Sequence, residues 1–192
     1  EEATSKAFDL LGVPHIPTRV IAHPDNPAQL YNISPMHSGA LGIMHAKPGE
    51  TQYTANPKQT ADTLFAEYVA NVSDRHGNNY ITTNAHKNPI SIDHGISWHS
   101  GNAYWPTVNI SGRKLPDHAK MSYPEAYSEN PNYSDLLNLH IRLKGPWPLQ
   151  VTPSVIQKAL MNQDALEKLA YEGTKGLPEE ERSLAVVALI HR

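Results

Sequence analysis

The sequence contains no cysteine, which excludes disulfide bonds and thiol catalysis among its 192 residues. It also has no apolar run near the length of about 18 residues that a membrane-spanning helix needs. Neither sign of charge dominates, because 16 Lys and Arg stand against 19 Asp and Glu and leave a net charge of −3. No broad basic field therefore favours nucleic acid or an anionic membrane surface. The length allows a sizeable core, so we expect one globular domain that has room for two lobes.

The first residues, Glu1-Glu2-Ala3-Thr4, lack the basic and apolar character of a signal peptide. The absence of cysteine fits the cytosol and an exported protein alike. We expect a soluble protein without a membrane span, either cytoplasmic or a secreted effector, and the sequence leaves the compartment open.

Two acidic motifs carry the chemistry of the chain. The first is Asp74-Arg75-His76-Gly77-Asn78-Asn79, and the second, Ile92-Asp93-His94-Gly95, places its Asp nineteen positions after Asp74. Phosphoryl transfer of the kinase type needs an Asp near the acceptor hydroxyl, an Asn five residues later at a metal ion, and a second Asp that holds Mg²⁺. Asp74, Asn79 and Asp93 have this spacing.

The segment between the motifs predicts a β-hairpin. Tyr80-Ile81-Thr82-Thr83 and Pro89-Ile90-Ser91-Ile92 are rich in β-branched residues, and the turn-like residues 84–88 separate them. Such a hairpin would bring Asn79 and Asp93 to the same end, as a shared metal ion requires.

The run D-R-H-x-x-N followed by I-D-x-G is similar to the catalytic and metal-binding loops of the phosphatidylinositol 3- and 4-kinase superfamily. That superfamily includes atypical protein kinases such as actin-fragmin kinase, and bacterial kinase-like proteins. D-R-H stands where ordinary protein kinases have H-R-D, and a residue other than Phe follows the metal-binding Asp. The resemblance implies an α+β, protein-kinase-like two-lobe fold with a truncated small lobe and a mainly helical large lobe. ATP and Mg²⁺ are the cofactors it implies.

The resemblance also assigns roles within the motifs. Asp74 is expected to orient the attacking hydroxyl group or accept its proton. Arg75 is expected to brace the loop, and His76 either braces it or lies near the γ-phosphate. Asn79 and Asp93 are expected to hold Mg²⁺, because carboxylate and amide oxygens suit that hard cation.

The first fifty residues resemble the end of the small lobe of this family. The apolar positions from Glu2 to Leu11 have helical spacing, and we expect the helix to stop at Gly12. Strands are expected over residues 13–22 and 40–44. The resemblance makes Glu1, with Glu2 as second choice, the helix glutamate that pairs with the nucleotide-binding lysine; the alternative is that both favour a helix N-terminus through the macrodipole.

The hinge of the family falls at the segment after the second predicted strand. By position, the adenine pocket would include Met44, His45 and Ala46, although a Pro-Gly turn after a buried strand explains the same residues. The resemblance thus divides the chain into residues 1–50, the remainder of a small lobe, and residues 51–192, the large catalytic lobe.

The chain departs from the family in its phosphate clamp. It contains no Gly-x-Gly, and its first lysine, Lys6, falls within the predicted helix. We expect a missing N-terminal segment, or another chain, to supply the glycine-rich loop and the lysine. The alternative is a catalytically silent interaction module with a degenerate kinase fold.

Three helices are predicted beyond the first one. Residues 56–60 lead into a helix whose apolar stripe contains Leu64, Phe65, Tyr68 and Val72. Thr152-Pro153 begins another, with the apolar residues Val155, Ile156 and Leu160, and Leu177-Pro178 begins the last. The buried face of the last helix is predicted from Leu184, Val187, Ala188 and Ile190.

Other interpretations of the same residues stay open. Asp-, Asn- and Gly-rich stretches are common in surface turns, so each motif alone would be unspecific. Asn78 is an alternative metal ligand, and His94 is assigned to packing or to a place near the phosphates. Zinc sites built from histidine pairs lack the His-x₃-His spacing with a nearby Glu; the pairs considered are His37 with His45, His76 with His86, and His94 with His99.

The sequence thus predicts a kinase that transfers phosphate from Mg·ATP to a hydroxyl group. A protein Ser/Thr substrate is favoured, because the chain lacks an evident cluster of Lys or Arg after Asp93, where a phosphoinositide head group would have to be recognised. Beyond Asp93, the only basic residues nearby are Arg113, Lys114 and Lys120. A lipid kinase is the alternative, and transfer of AMP or another group by the same fold also stays open.

Overall fold

The computed structural model describes residues 1–36, 41–42, 57–72, 79–82, 90–95, 97–98, 107–110, 113–116 and 151–190. These residues form five α-helices and seven short β-strands. The strands make three small antiparallel sheets, two of two strands and one of three. The described part of the chain is therefore a mixed α/β structure, as the sequence predicts.

Helix α1 spans Glu2–Leu11 and confirms the predicted N-terminal helix. It ends at Gly12, whose φ of 70° lies in the left-handed region that glycine enters without a steric penalty. The Gly12 N–H donates to Asp9 O at 3.0 Å and satisfies one of the last carbonyl groups of the helix. A side chain at Gly12 would only displace the flexible end of Lys158, so the left-handed backbone is the reason for glycine at this position.

A two-stranded antiparallel sheet follows, formed by β1 (Arg19–His23) and β2 (Asn26–Ile33). The prediction of a strand from residue 13 was wrong in its start, because Pro14 and Pro17 lack the N–H that a sheet ladder needs. Strand β2 was not predicted. It contains Pro27, and all eight of its residues are exposed, so its sequence shows no alternation between a buried and a solvent face.

The predicted hairpin is present. Strand β4 (Tyr80–Thr82) pairs antiparallel with β5 (Ile90–Ser91) in the register Tyr80↔Ser91 and Ile81↔Ile90. Strand β3 (Leu41–Gly42), which falls inside the second predicted strand, pairs with the other edge of β4. The remaining strands, β6 (Thr107–Ile110) and β7 (Arg113–Pro116), form a separate antiparallel pair.

Helix α2 (Pro57–Val69) begins where the sequence predicts. Leu64 and Tyr68 of its predicted stripe are buried, as is Val72 just beyond the helix, and Phe65 is half-buried. The buried residues of this stripe thus fix the chain in the core up to residue 72, two positions before the first acidic motif.

Three helices, not two, occupy the C-terminal segment: α3 (Pro153–Met161), α4 (Gln163–Gly173) and α5 (Glu179–Ile190). The single residue Asn162 separates α3 from α4, so the apolar spacing runs on across the break. The predicted face of α5 was partly wrong, since Ile190 is 54% exposed. The buried face of α5 consists of Leu184, Ala185, Ala188 and Leu189, whose i, i+4 spacing places them on one side of the helix.

One apolar cluster joins the first helix to the later ones. It includes Phe8 and Leu11 of α1, side chains of α2, and residues of all three C-terminal helices, among them Val155, Leu166 and Leu189. The division into lobes at residues 1–50 and 51–192 stays a prediction. In the part of the chain that the structure describes, none of the helices combines the length and apolar character that crossing a bilayer requires.

Candidate functional site

The hairpin brings the two predicted metal ligands into contact. Asn79 lies directly before β4 and Asp93 lies two residues after β5, so both side chains emerge from the same end of the hairpin. Asn79 Nδ2 donates a hydrogen bond to Asp93 Oδ2 at 3.3 Å, and the Ile92 N–H donates to Asn79 O at 2.9 Å. Asn79 is buried and Asp93 is exposed, so the pair presents its acidic member to solvent.

The backbone at Asp93 has a left-handed conformation with φ of 55°. Asp tolerates this region better than most residues because its short side chain hydrogen-bonds locally. Gly95 lies close by, and a Cβ at that position would be 3.2 Å from Glu1 Oε1 and 3.4 Å from Asp93 Oδ1. The missing side chain of Gly95 therefore leaves space for both carboxyl groups.

A cavity of about 300 Å³ opens beside these carboxyl groups. Its described lining contains two acidic side chains and no Lys or Arg, and consists of Glu1, Ile16, Thr18, Ser34, Pro35, Ile81, Ile92 and Asp93. Residues from the start of α1, from the end of the β1–β2 sheet where β1 begins and β2 ends, and from the hairpin thus meet around one opening. An acidic cavity of this kind attracts cations rather than a bare polyphosphate.

Glu1 has an unusual electrostatic environment. Burial raises the pKa of its carboxyl group above the ordinary value of 4.5, and the negative charge of Asp93 adds to this shift. A cation between the two carboxylates would relieve their repulsion.

Glu2, the second choice for the helix glutamate, has other partners. Its Oε1 accepts a hydrogen bond from Lys6 Nζ at 2.8 Å, and its Oε2 accepts one from the Val20 N–H at 3.0 Å. The hydrogen bond from Lys6, followed by that from Val20, lowers the pKa of Glu2. Glu2 therefore links α1 to β1, and Glu1 is the glutamate that lines the cavity.

Several predicted site residues lie outside the described residues. They are the catalytic candidates Asp74, Arg75 and His76 and the adenine-pocket candidates Met44, His45 and Ala46. The structure describes residues that flank these two segments in sequence. Strand β3 ends two residues before Met44 and pairs with β4. Asn79 is the first described residue after the segment that contains Asp74.

Sequence reasoning missed Glu67, which lies on α2 behind the hairpin. Its side chain is fully buried and accepts hydrogen bonds from Tyr80 and Ser91. The signal was an acidic residue within the apolar run Leu64-Phe65-Ala66-Glu67-Tyr68-Val69, because a carboxyl group on a buried helix face must have hydrogen-bonding partners. His94 is buried as well, in agreement with the packing interpretation.

Two other features of the described residues do not offer the chemistry of phosphoryl transfer. No cluster of three or more His, Asp or Glu there could hold a metal ion, and of the histidines considered for zinc only His94 belongs to that part of the chain. A separate pocket of about 270 Å³ lies between α2, α3, α4 and α5. Its described lining is apolar apart from Tyr68 and Gln163, so it offers no acid or base for phosphoryl transfer.

No protein-family profile matches this chain, and no curated protein sequence does. Among solved structures, the chain is similar to the crystal structure of a Helicobacter pylori proinflammatory kinase, CtkA. The TM-score is 0.54 at 11% sequence identity, and the match covers 99% of this chain and 77% of that kinase. Likeness at this identity concerns the fold alone, and the fold of this chain is kinase-like.

Proposed function

We propose that this protein is an ATP- and Mg²⁺-dependent phosphotransferase of the atypical kinase type, which transfers phosphate to a hydroxyl group. The contact between Asn79 and Asp93 at the mouth of the acidic cavity is the observation that carries the proposal. The kinase-like fold supports it independently of the motifs.

The residues present fit a magnesium ion. Mg²⁺ in nucleotide sites is held by one or two protein oxygen ligands together with phosphate oxygens and water, not by a complete protein cage. Asp93 provides a carboxylate and Asn79 an amide next to it; the amide nitrogen makes the contact with Asp93, so Oδ1 of Asn79 is the atom that would bind the ion. When bound, the metal would neutralise charge that builds on the phosphate oxygens.

The remaining roles follow the sequence motif. Asp74 would orient the attacking hydroxyl group or accept its proton, with Arg75 bracing the loop and His76 bracing it or lying near the γ-phosphate. Glu1 would pair with the nucleotide-binding lysine. The segment at Met44, His45 and Ala46 would hold the adenine.

The glycine-rich loop and the lysine must then come from a segment outside these 192 residues or from a second chain. The β1–β2 sheet supports this part of the proposal, because its apolar side chains Val20, Ile21, Leu30, Tyr31 and Ile33 are all exposed. A further strand that pairs with the edge of this sheet and carries the glycine-rich loop would cover part of this apolar surface. Addition of such a segment should tighten ATP binding and protect the β1–β2 amides from hydrogen exchange.

A protein Ser/Thr acceptor is the favoured substrate. The described lining of the cavity contains no Lys or Arg that would bind a phosphoinositide head group. A lipid kinase is the second candidate, because its motif is the same.

A catalytically silent interaction module is the candidate from another class. The absence of Gly-x-Gly in the sequence favours it. Nucleotide binding separates the two classes, because a silent module would not need Asp93 for Mg²⁺-dependent binding of ATP.

Transfer of radiolabelled γ-phosphate tests the activity. The protein is incubated with labelled ATP and Mg²⁺ in the presence of either Ser/Thr-rich protein acceptors or phosphoinositide vesicles. We expect labelled protein, and no labelled product for Asp93→Ala or after chelation of the metal. Labelled lipid with unlabelled protein would favour the lipid kinase. Absence of both products, also after addition of the segment that supplies the glycine-rich loop and the lysine, would count against an active enzyme.

A further inference from the structure

A buried polar network lies directly behind the Asn79–Asp93 contact. Its centre is Glu67 of α2, whose side chain is 0% exposed. Glu67 Oε2 accepts a hydrogen bond from Tyr80 Oη at 2.8 Å, and Glu67 Oε1 accepts one from Ser91 Oγ at 2.7 Å. Tyr80 and Ser91 face each other across the β4–β5 hairpin, so one carboxyl group binds both strands.

The network continues from Ser91 into the segment that contains Asp93. Ser91 Oγ lies 2.8 Å from His94 Nε2. A serine hydroxyl has a single proton, and that of Ser91 is donated to Glu67, so His94 Nε2–H is the donor in this second bond. The ring of His94 packs against Phe8 of α1 with a centroid distance of 4.9 Å, which holds the imidazole in place.

The bond between Ser91 and His94 closes a short turn around Asp93. Asp93 is the residue with φ of 55°, a conformation that persists only where the surroundings enforce it. The backbone oxygen of His94 also accepts a hydrogen bond from Ser97 Oγ at 3.0 Å, and Ser97 Oγ lies 2.6 Å from Thr4 Oγ1 of α1. The residues before and after Asp93 are therefore fixed by buried partners on α2 and α1.

We propose that Glu67, Ser91 and His94 are positioning residues that hold the Asp93 carboxylate next to Asn79 for binding of a divalent cation. The inference rests on the proposed function, because it takes Asn79 and Asp93 as the ligands. None of the three touches the cation. They act through the backbone of Asp93 and through the hairpin, in the way that groups behind a metal ligand fix its orientation.

Binding of Mn²⁺ alone, followed by the electron paramagnetic resonance signal of free Mn²⁺, tests the inference without nucleotide. We expect Ser91→Ala to raise the Mn²⁺ dissociation constant by about tenfold or more, the range typical for loss of a group behind a metal ligand. Thr63→Val is the matched control, because Thr63 is a fully buried hydroxyl on the same helix and donates only to Gln59 O at 3.0 Å in its own helix. The control should bind Mn²⁺ like the wild type.

A pair of variants at His94 keeps the test decisive if Ser91→Ala fails to fold. His94→Gln retains an N–H donor near the position of Nε2 and should keep most of the Mn²⁺ affinity. His94→Leu removes the donor and should weaken binding to the same extent as Ser91→Ala. A purely structural role would instead lower the unfolding midpoint of these variants while the folded protein kept its dissociation constant.

The outcomes distinguish failure of the metal site from failure of the positioning role. Wild-type protein that does not bind Mn²⁺, or binds it equally well as Asp93→Ala, would overturn both the metal site and the positioning role. Binding that requires Asp93 but is unchanged in Ser91→Ala and His94→Leu would overturn the positioning role alone. Binding that is weakened in both variants, and retained in Thr63→Val and His94→Gln, supports the inference.

Discussion

At the scale of single residues, the candidate site depends on two side chains that are fourteen positions apart in sequence and 3.3 Å apart in space. One is an amide and the other an exposed carboxylate, and they do not have equivalent roles. The amide of Asn79 is buried and fixed, whereas Asp93 carries the charge. Loss of Asp93 should therefore affect cation binding, and loss of Asp74 should affect the transfer of phosphate to the hydroxyl group.

The predicted role of Asp74 gives a separable phenotype. Asp74→Ala should leave Mg²⁺-dependent ATP binding near normal and lower kcat by about 10²- to 10⁴-fold, the range for loss of a general base. Calorimetric titration with Mg·ATP and the phosphate-transfer assay measure the two effects. Equal loss of folded protein in Asp74→Ala and Asp93→Ala would mark both residues as structural and contradict the assigned roles.

His15 makes the stability of the fold depend on pH. Its side chain is 5% exposed, and Ser5 Oγ lies 2.8 Å from its Nε2. Burial lowers the pKa of His15 below the ordinary value of 6.5, although a hydrogen bond to Val13 and the charge of Asp9 oppose the shift. The folded state thus favours the neutral imidazole.

Because the pKa is lower in the folded than in the unfolded state, the contribution of His15 to stability is fully present above pH 6.5. It is lost as the pH falls from 6.5 through the lower folded pKa, by about 1.4 kcal/mol for each unit between the two pKa values. Urea unfolding of wild type and His15→Gln at pH 7.5 and pH 5.5, on either side of the ordinary pKa of 6.5, measures this. Equal loss of stability in both proteins on acidification would contradict the assignment.

At the scale of elements, Asp62 links α2 to the start of α3. Asp62 Oδ1 accepts a hydrogen bond from the Thr152 N–H at 2.7 Å, and Oδ2 accepts one from Thr152 Oγ1 at 2.8 Å. Thr152 is the N-cap residue of α3, and its hydroxyl is used in this contact rather than in capping its own helix. Residues ninety positions apart are thereby joined at a helix N-terminus.

Asp62→Ala should lower the free energy of unfolding by about 1–3 kcal/mol, because two half-buried donors lose a charged acceptor. Asp25→Ala, at an exposed turn position, is the control and should change it by no more than about 0.5 kcal/mol. Urea unfolding of the two variants decides the comparison. Equal stability of Asp62→Ala and the control would show that this contact does not hold α3 in place.

The elements that the sequence predicts correctly have strong local signals. Helix α1 has regular apolar spacing and a terminal Gly12, and the β4–β5 hairpin has β-branched runs around a polar turn. The elements that it misses lack such signals. Strand β2 is exposed along its whole length, and α4 follows α3 after the single residue Asn162.

The same contrast holds for the site. The spacing of the acidic motif was enough to predict that Asn79 and Asp93 would lie together. The network of Glu67, Ser91 and His94 could not be predicted in the same way, because it depends on how α2 packs against the hairpin. Contacts between elements of this kind leave only a weak trace in sequence, here one acidic residue in an apolar run.

At the scale of the whole molecule, the site lies where separate parts of the chain converge. The cavity beside Asp93 is lined by the start of α1, residues before β1 and after β2, and the hairpin. Behind it, one apolar cluster joins α1 and α2 to the C-terminal helices. The acidic pair therefore lies next to packed elements, which the proposed role of Asp93 as a metal ligand requires.

The metal-dependent nucleotide site is tested most directly by calorimetric titration of the protein with ATP, with and without Mg²⁺, in parallel with Asp93→Ala. We expect heat of binding for the wild type in the presence of Mg²⁺, and its loss when either the metal or the Asp93 carboxylate is removed. ATP binding that persists without Mg²⁺ or in Asp93→Ala would contradict the site, as would absence of binding after addition of the segment that supplies the glycine-rich loop and the lysine.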